Sequence, residues 1–523
     1  MITSPYPDET IPDVSVFDFL FADLSEDDAG RTAIVDGTSG AETIFGDLRR
    51  GIESLAGALA ARAIGTGDVV ALHSPNIPAF ATVFHGILRS GATATTVNAL
   101  YTAEEIETQL RDSGAVFLFT VGALAEPALA AAAAVGLSPE RVVVLDGRDG
   151  HAGLADLLGE GHDAPVVDID PATHVAVMPY SSGTTGYPKG VRLSHRNLVA
   201  NVVQTYPLLD VESTDVVLAV LPFFHIYGMT VLLDIALKRR ATLVTMPRFD
   251  LARFLELIQT HGCTYLFIAP PIAVALAKHP LVAEYDLGTV RAIFSGAAPA
   301  DAGLMGAVAE RVGARVRQGY GMSEASPVTH AGRPDRDDLS LGSIGVPVAN
   351  TEVRLVDIET GADIDVPTEG ISEPGEVWVR GPQVMLGYLG REDATRETVD
   401  EEGWLHTGDI GTVGAQGEFY IVDRLKELIK YKGYQVAPAE LEALLLTHPD
   451  IVDAAVVGAP DADGQEIPKA FVVQREGAAL DAATVEAFVA EHVAPHKKVR
   501  AVEFIETVPK SASGKILRKD LRG

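Results

Sequence analysis

From residue 45 onward the hydrophobic positions alternate between two periods. Over 47–64 they return every three to four residues, the spacing of one helix face. A short apolar run over 69–73 follows, then a second helical period over 77–88. The alternation continues as a strand over 92–97, a helix over 103–112 and a strand over 116–120. Short apolar strands separated by helices predict a parallel sheet covered on both faces. The alanine-rich stretch 128–134 predicts helix, because alanine is the strongest helix former.

The same texture resumes further along. Residues 195–209 predict a helix, 215–224 a strand and 229–238 a helix. Strands follow at 241–246, 264–269 and 291–294, and no tandem repeat of fixed period occurs. Over 351–357 and 375–381 apolar residues alternate with polar ones, as in half-buried antiparallel strands. Beyond residue 409 the pattern is α+β: strands at 418–422, 454–457, 470–473 and 502–505, helices at 438–445 and 483–492. The reading is an α/β chain: a large N-terminal domain of two α/β layers with a small β subdomain over 1–423, and a small α+β domain over 424–523.

Composition narrows the function classes. The chain has 523 residues, too many for one core, with 47% hydrophobic and 22% charged residues as in ordinary globular proteins. Its 72 acidic against 41 basic residues give a net charge of −31. That argues against a nucleic-acid partner or adsorption to anionic membrane. Anionic ligands then need locally placed cations. Cys263 is the only cysteine, so intrachain disulfides are excluded and a buried thiol is expected. The first nine residues lack a basic and an apolar segment, and the longest apolar run is broken by Pro270-Pro271. A cytoplasmic protein without a membrane span is expected, as monomer or homodimer.

Candidate chemistry starts at Ser181-Ser182-Gly183-Thr184-Thr185-Gly186-Tyr187-Pro188-Lys189-Gly190, just after the apolar run 175–178. Glycines bring backbone N–H groups close to a ligand, hydroxyls donate, and lysine adds a mobile charge. This suits polyphosphate, although Pro188 stands where an ordinary P-loop has glycine. Leu221-Pro222-Phe223-Phe224-His225-Ile226-Tyr227-Gly228 ends an apolar strand, where α/β proteins place ligand contacts. Ser295-Gly296-Ala297-Ala298-Pro299 offers small residues as a floor for a planar ring, or simply a tight turn. In Gln318-Gly319-Tyr320-Gly321-Met322-Ser323-Glu324, an adenine could stack near Tyr320, Ser323 could donate to phosphate and Glu324 could hold Mg²⁺. Trp404-Leu405-His406-Thr407-Gly408-Asp409 sets a carboxylate after a glycine turn, as a ribose binder or a turn cap. The cations of 424–435 and of Pro509-Lys510-Ser511-Ala512-Ser513-Gly514-Lys515 complete the set.

Taken together and in this order, these motifs resemble the adenylate-forming superfamily of acyl-CoA ligases, luciferases and peptide-synthetase adenylation domains. Within it the chain most resembles 4-coumarate–CoA ligases. The resemblance spans about Ser181 to Lys515 and implies a mobile C-terminal domain with two half-reactions: ATP and a carboxylic acid give an acyl-adenylate, and coenzyme A displaces AMP. It implies that Ser181, Ser182, Gly183, Thr184, Thr185 and Lys189 cradle phosphates, with Glu324 on Mg²⁺. Gln318, Gly319, Tyr320 and Ser323 would contact adenine or the α-phosphate, and Asp409 and Arg424 the ribose. Lys515 would bridge acid and α-phosphate, and Lys430, Gln435 and His225 would serve catalysis. Lys426 would lie at the hinge, and Lys432, Gly433 and Arg248 would meet coenzyme A. Arg248 departs from the commoner lysine there, and Ser323 from threonine. Tyr227, Gly228, Thr230, Ala297, Pro327, Val328 and Ala331 match acid-pocket positions; the small Gly228, Ala297 and Ala331 suggest room for an aryl or an extended chain. A hydroxycinnamate-like aryl acid is expected over a fatty acid, with a luciferase-like oxygenase and carrier-protein loading as alternatives.

Overall fold

The computed structural model describes residues 1–181, 188–333, 336, 338–431, 434–461, 466–511 and 514–522, and of Tyr434 and Gln435 the backbone alone. Two large mixed sheets carry the N-terminal part. In the first, Val69–His73 is central, with Thr93–Val97 and Val175–Val177 on one side and Ala115–Thr120 and Val142–Val144 on the other, all parallel. Lys189–Ser194 extends it antiparallel and is edged by Gly387–Tyr388. In the second, Arg315–Gly321, Ala292–Ser295, Tyr265–Ile268, Val216–Ala219, Thr242–Thr245 and Thr32–Asp36 run parallel in that order.

One hydrophobic core runs through both sheets. The helix Pro78–Arg89 explains how: Phe80, Val83, Phe84, Ile87 and Leu88 are all buried, so it has no polar face. Such a helix needs apolar neighbours all round, and it packs on strands of both sheets. Helix His195–Leu209 likewise bridges them, started by a capping box between Ser194 and Asn197.

A five-stranded antiparallel sheet follows, with strand order Ile2–Thr3, Glu352–Val356, Gly375–Arg380, Leu405–Val413, Phe419–Arg424. The C-terminal part has a core of its own, from Ile429 to Val499. There Ile451–Pro460, Glu466–Gln474 and Ala501–Phe504 form a sheet, with Pro438–Thr447 packed on its first strand and Ala482–His492 on its last. Cys263 is fully buried, as a core thiol should be.

Three expectations change. The helix read at 229–238 begins at Tyr227 and is π-wound through Asp234, becoming α only over Ile235–Arg239. The strand read at 215–224 ends at Ala219, before Pro222. Asp409 lies inside the strand Leu405–Val413, with Gly408 at φ 68°, so the glycine marks an irregularity within a strand and not its end. Among the described residues no helix is long and apolar enough to cross a membrane.

Candidate active site

The polyphosphate stretch is built as a hairpin. Ser181 pairs with Lys189 across its base, between strands Tyr180–Ser181 and Lys189–Ser194. Ser182, Gly183, Thr184 and Thr185 lie outside the described residues. Facing the hairpin, Glu324 Oε1 accepts from the hydroxyls of Ser181 at 3.2 Å and Tyr388 at 2.8 Å. The Lys189 ammonium sits 4.8 Å from the centroid of the Tyr388 ring. Tyr388 therefore touches both charged groups, and sequence reasoning missed it. Its only signal was a glycine–tyrosine pair at the end of an ordinary loop.

A second polar corner forms at Asp409, which is buried. Tyr320 donates its hydroxyl to Asp409 Oδ2 at 2.5 Å, and Arg424 Nε lies 3.2 Å from Oδ1. Asp409 and Arg424 face each other across adjacent strands, so backbone pairing fixes the contact. Burial pushes the Asp409 carboxyl up, against the pull of Arg424, Tyr320 and Lys515. Gln318 is committed elsewhere: its amide donates to the carbonyls of Ala300 and Leu341 at 2.9 and 2.6 Å. Both of its donors thus hold the segments flanking the site. Gly319 is glycine for packing, since a Cβ there would lie 2.3 Å from Phe294 Cζ. Ser323 opens the short 3₁₀ turn Ser323–Ala325 that carries Glu324.

Lys515 arrives from the far end of the chain. Gly514 beside it lies against the N-terminal part, where a Cβ would stand 3.2 Å from Pro271 Cγ and Cδ. Burial pushes the Lys515 ammonium down to about 8, helped by Arg424 and opposed by Glu427 and Asp409. The same ammonium helps hold the His225 imidazole down, to about 4, although burial is the larger cause. His225 Nδ1 accepts the backbone N–H of Tyr227 at 3.3 Å, so the neutral ring carries its proton on Nε2. Three residues later Arg518 binds Glu442 at 2.7 Å and also meets Glu427, tying the lysine-bearing segment to the turn that follows Arg424. Lys426 is exposed on that turn. Lys430 is exposed on the hairpin Ile429–Tyr431/Tyr434–Val436, opposite Gln435. Lys432 and Gly433, at its tip, lie outside the described residues.

The acid-pocket positions divide. Tyr227, Gly228 and Thr230 are buried on the π-helix, a form often found at functional sites. Tyr227 donates to the Phe294 carbonyl at 3.3 Å, and Thr230 Oγ1 has no partner among the described residues. Gly228 does not provide ligand room: a Cβ would stand 2.1 Å from the Pro222 carbonyl oxygen. Ala297 is exposed at φ 72°, whereas Pro327, Val328 and Ala331 are buried. Arg248 stands apart, exposed beside a cavity of about 220 Å³ lined by Gly37, Thr38, Thr245 and Met246.

The arrangement brings a cation-bearing hairpin, one carboxylate with hydroxyl partners, a buried acid paired with Arg424 and the Lys515 ammonium to one place. No group of three or more potential metal-ligating side chains exists among the described residues. Glu324 nevertheless fits a hard divalent cation that takes its other oxygens from phosphate and water, because its Oε2 accepts from no described residue.

Residues 21–389 match the family model described as AMP-binding enzyme, and residues 440–515 the model described as AMP-binding enzyme C-terminal domain. "4-coumarate--CoA ligase 5" of Oryza sativa subsp. japonica is 42% identical over 99% of this chain and 96% of its own length. Among solved structures, ATP-bound MatB from Rhodopseudomonas palustris is 28% identical with a TM-score of 0.87, covering 98% of both chains. The same protein in its apo form aligns at 0.77 over 98% of both. The anthranilate CoA ligase AuaEII in complex with anthranoyl-AMP is 26% identical with a TM-score of 0.88, covering 98% of this chain and 97% of its own.

Proposed function

The chain belongs to the AMP-binding enzymes and is an ATP-dependent acid–CoA ligase, and we propose that its acid is an aryl acid of the hydroxycinnamate type. The acid carboxylate attacks the α-phosphorus of ATP, the bond to the β-phosphate oxygen breaks, and pyrophosphate leaves. The thiol of coenzyme A then attacks the acyl carbon, loses its proton, and AMP departs with the acyl C–O bond broken.

The observation that supports this acid class is the 42% identity to 4-coumarate--CoA ligase 5 over 99% of this chain, and the adenylation step rests on Lys515 interacting with Asp409, Arg424 and His225. Lys515 neutralises charge on the α-phosphate and the attacking carboxylate, where positioned cations act most strongly. Asp409 accepts from the ribose hydroxyls, held in place by Tyr320 and Arg424. Ser181, Lys189 and Ser323 donate to phosphate oxygens, with the residues of the hairpin tip. The Nε2–H of His225 faces the acyl end. Mg²⁺ held by Glu324 would offset charge on the polyphosphate. Lys430 and Gln435 serve catalysis near the nucleotide, and Lys432, Gly433 and Arg248 meet coenzyme A in the second step.

The units 1–423 and 424–523 rotate about Lys426 between the steps, which exchanges the residues presented to the acyl carbon. The better alignment to ATP-bound than to apo MatB supports an adenylating arrangement here. The net charge of −31 and a single cysteine suit the cytoplasm.

The test is a mass-spectrometric survey of enzyme, ATP, Mg²⁺ and coenzyme A with cinnamic, benzoic and fatty acids. Hydroxycinnamoyl-CoA as the dominant product is expected. Fatty acyl-CoA alone would overturn the acid class, and adenylates without thioesters would point to a different acceptor.

A further inference from the structure

We infer that Tyr388 is a positioning residue that keeps the phosphate-binding cation Lys189 and the carboxylate Glu324 from pairing with each other. This rests on the ligase reading above, and it assigns a role to a residue outside every motif of that reading. Lys189 and Glu324 carry opposite charges and converge on one aromatic side chain. The ammonium lies over the ring face, 4.8 Å from its centroid. The carboxylate is held at the ring's edge, 2.8 Å from the hydroxyl. Neither residue forms an ion pair among the described residues, although both touch one side chain in a half-buried site, where opposite charges attract more than in open water. The ring supplies each with a weaker substitute: a quadrupole face for the cation and one O–H donor for the anion.

Tyr388 is held firmly enough to act as a spacer. It is 8% exposed, its backbone N–H donates to Thr395 Oγ1 at 2.9 Å, and it pairs with Val191 two residues beyond Lys189. The same segment also fixes the carboxylate's backbone, since the Met385 N–H donates to the Glu324 carbonyl at 2.9 Å. Without the ring the ammonium and carboxylate would close on each other. The cation would then be lost to triphosphate, and the carboxylate would no longer be free for a divalent ion.

The experiment measures ATP binding by calorimetry without divalent ions, so that no turnover or metal loading enters the readout. Tyr388→Leu removes the spacer and should weaken ATP binding by at least about ten-fold. Tyr388→Phe keeps the ring under Lys189 and should stay within about three-fold of wild type. Adding Glu324→Gln to Tyr388→Leu removes the competing carboxylate and should restore binding to within about three-fold of Glu324→Gln alone. Tyr388→Met replaces Tyr388→Leu should the latter melt below the assay temperature. Wild-type affinity in the leucine variant, or no recovery in the double variant, would overturn the spacer role while leaving the ligase reading intact. A wild-type protein that binds no ATP even with Mg²⁺ restored would overturn both.

Discussion

Asp423 caps a helix that it does not belong to: its Oδ2 accepts the backbone N–H of Ala439 at 2.9 Å. Ala439 is the second residue of Pro438–Thr447, whose own N-cap, Ala437, has no hydrogen-bonding side chain to offer. The other oxygen of Asp423 accepts the Arg424 N–H at 2.7 Å. One carboxylate thus joins the last strand of the five-stranded sheet to the first helix of the C-terminal core, next to a residue of the ribose corner.

Burial raises the Asp423 carboxyl from 3.8 to about 6. A raised folded-state value means that its contribution to stability is full below pH 3.8 and is lost as pH rises through about 6. Melting curves of wild type and Asp423→Asn, compared from about pH 7 down to about pH 4, should show the wild type gaining on the variant as pH falls. A constant difference across that window would mean that the carboxyl titrates normally.

Lys515→Ala should slow adenylation by roughly 10²–10³-fold, the usual effect of removing one transition-state donor. Thioester formation from supplied acyl-adenylate should be much less affected, and equal loss of both steps would contradict the role given to this lysine. Because the ammonium titrates near 8, kcat/KM for adenylation should fall as pH rises through that value. Lys515→Arg should remove this alkaline limb.

Tyr320→Phe deletes the hydroxyl that donates to Asp409 Oδ2 and should cost about 1–3 kcal/mol, as for a buried acceptor left unsatisfied. The loss should appear mainly in KM for ATP, with KM for the acid little changed. Steady-state kinetics with each substrate varied in turn separates the two, and an effect confined to the acid would exclude the ribose assignment.

Gly228→Ala should destabilise the fold by about 1–3 kcal/mol through overpacking, because the new methyl meets the Pro222 backbone. Replacing exposed Ala297, whose φ is 72°, by Gly should not destabilise the fold, since glycine adopts that conformation freely, and should alter the order of preferred acids. Thermal melts and a competition assay between acids would check the pair. A stable Gly228→Ala variant with altered acid preference would restore the reading of that glycine as pocket space.

What could be read from the sequence follows the range of the forces involved. Val69–His73 and His195–Leu209 match to the residue, since local periodicity and the Ser194 cap decide them. The π-helix does not show in such periodicity, because Tyr227 to Asp234 are all buried and offer no polar side to count against. Thr32–Asp36 went unread because it is short, its local partner Glu42–Ile44 is only three residues long, and its other partner, Thr242–Thr245, is far away in sequence. Within the site, Asp409 and Arg424 stood out through their motifs, while Tyr388 acquires meaning only when folding brings Lys189 and Glu324 to it. Gly228 reads in the sequence as room for the acid, but a Cβ there would meet the Pro222 carbonyl; Gly319, expected to contact the nucleotide, is glycine for the further reason that a Cβ would meet Phe294.

Cys263 carries a practical consequence for watching this molecule move. It is fully buried, and burial pushes its thiol up to about 12, so it will not take up maleimide dyes at neutral pH. Asp149→Cys and Glu476→Cys, both at exposed positions, would then be the only labelled sites. Energy transfer between donor and acceptor dyes at those two points would trace any turning of the C-terminal unit molecule by molecule, with the native thiol left in place.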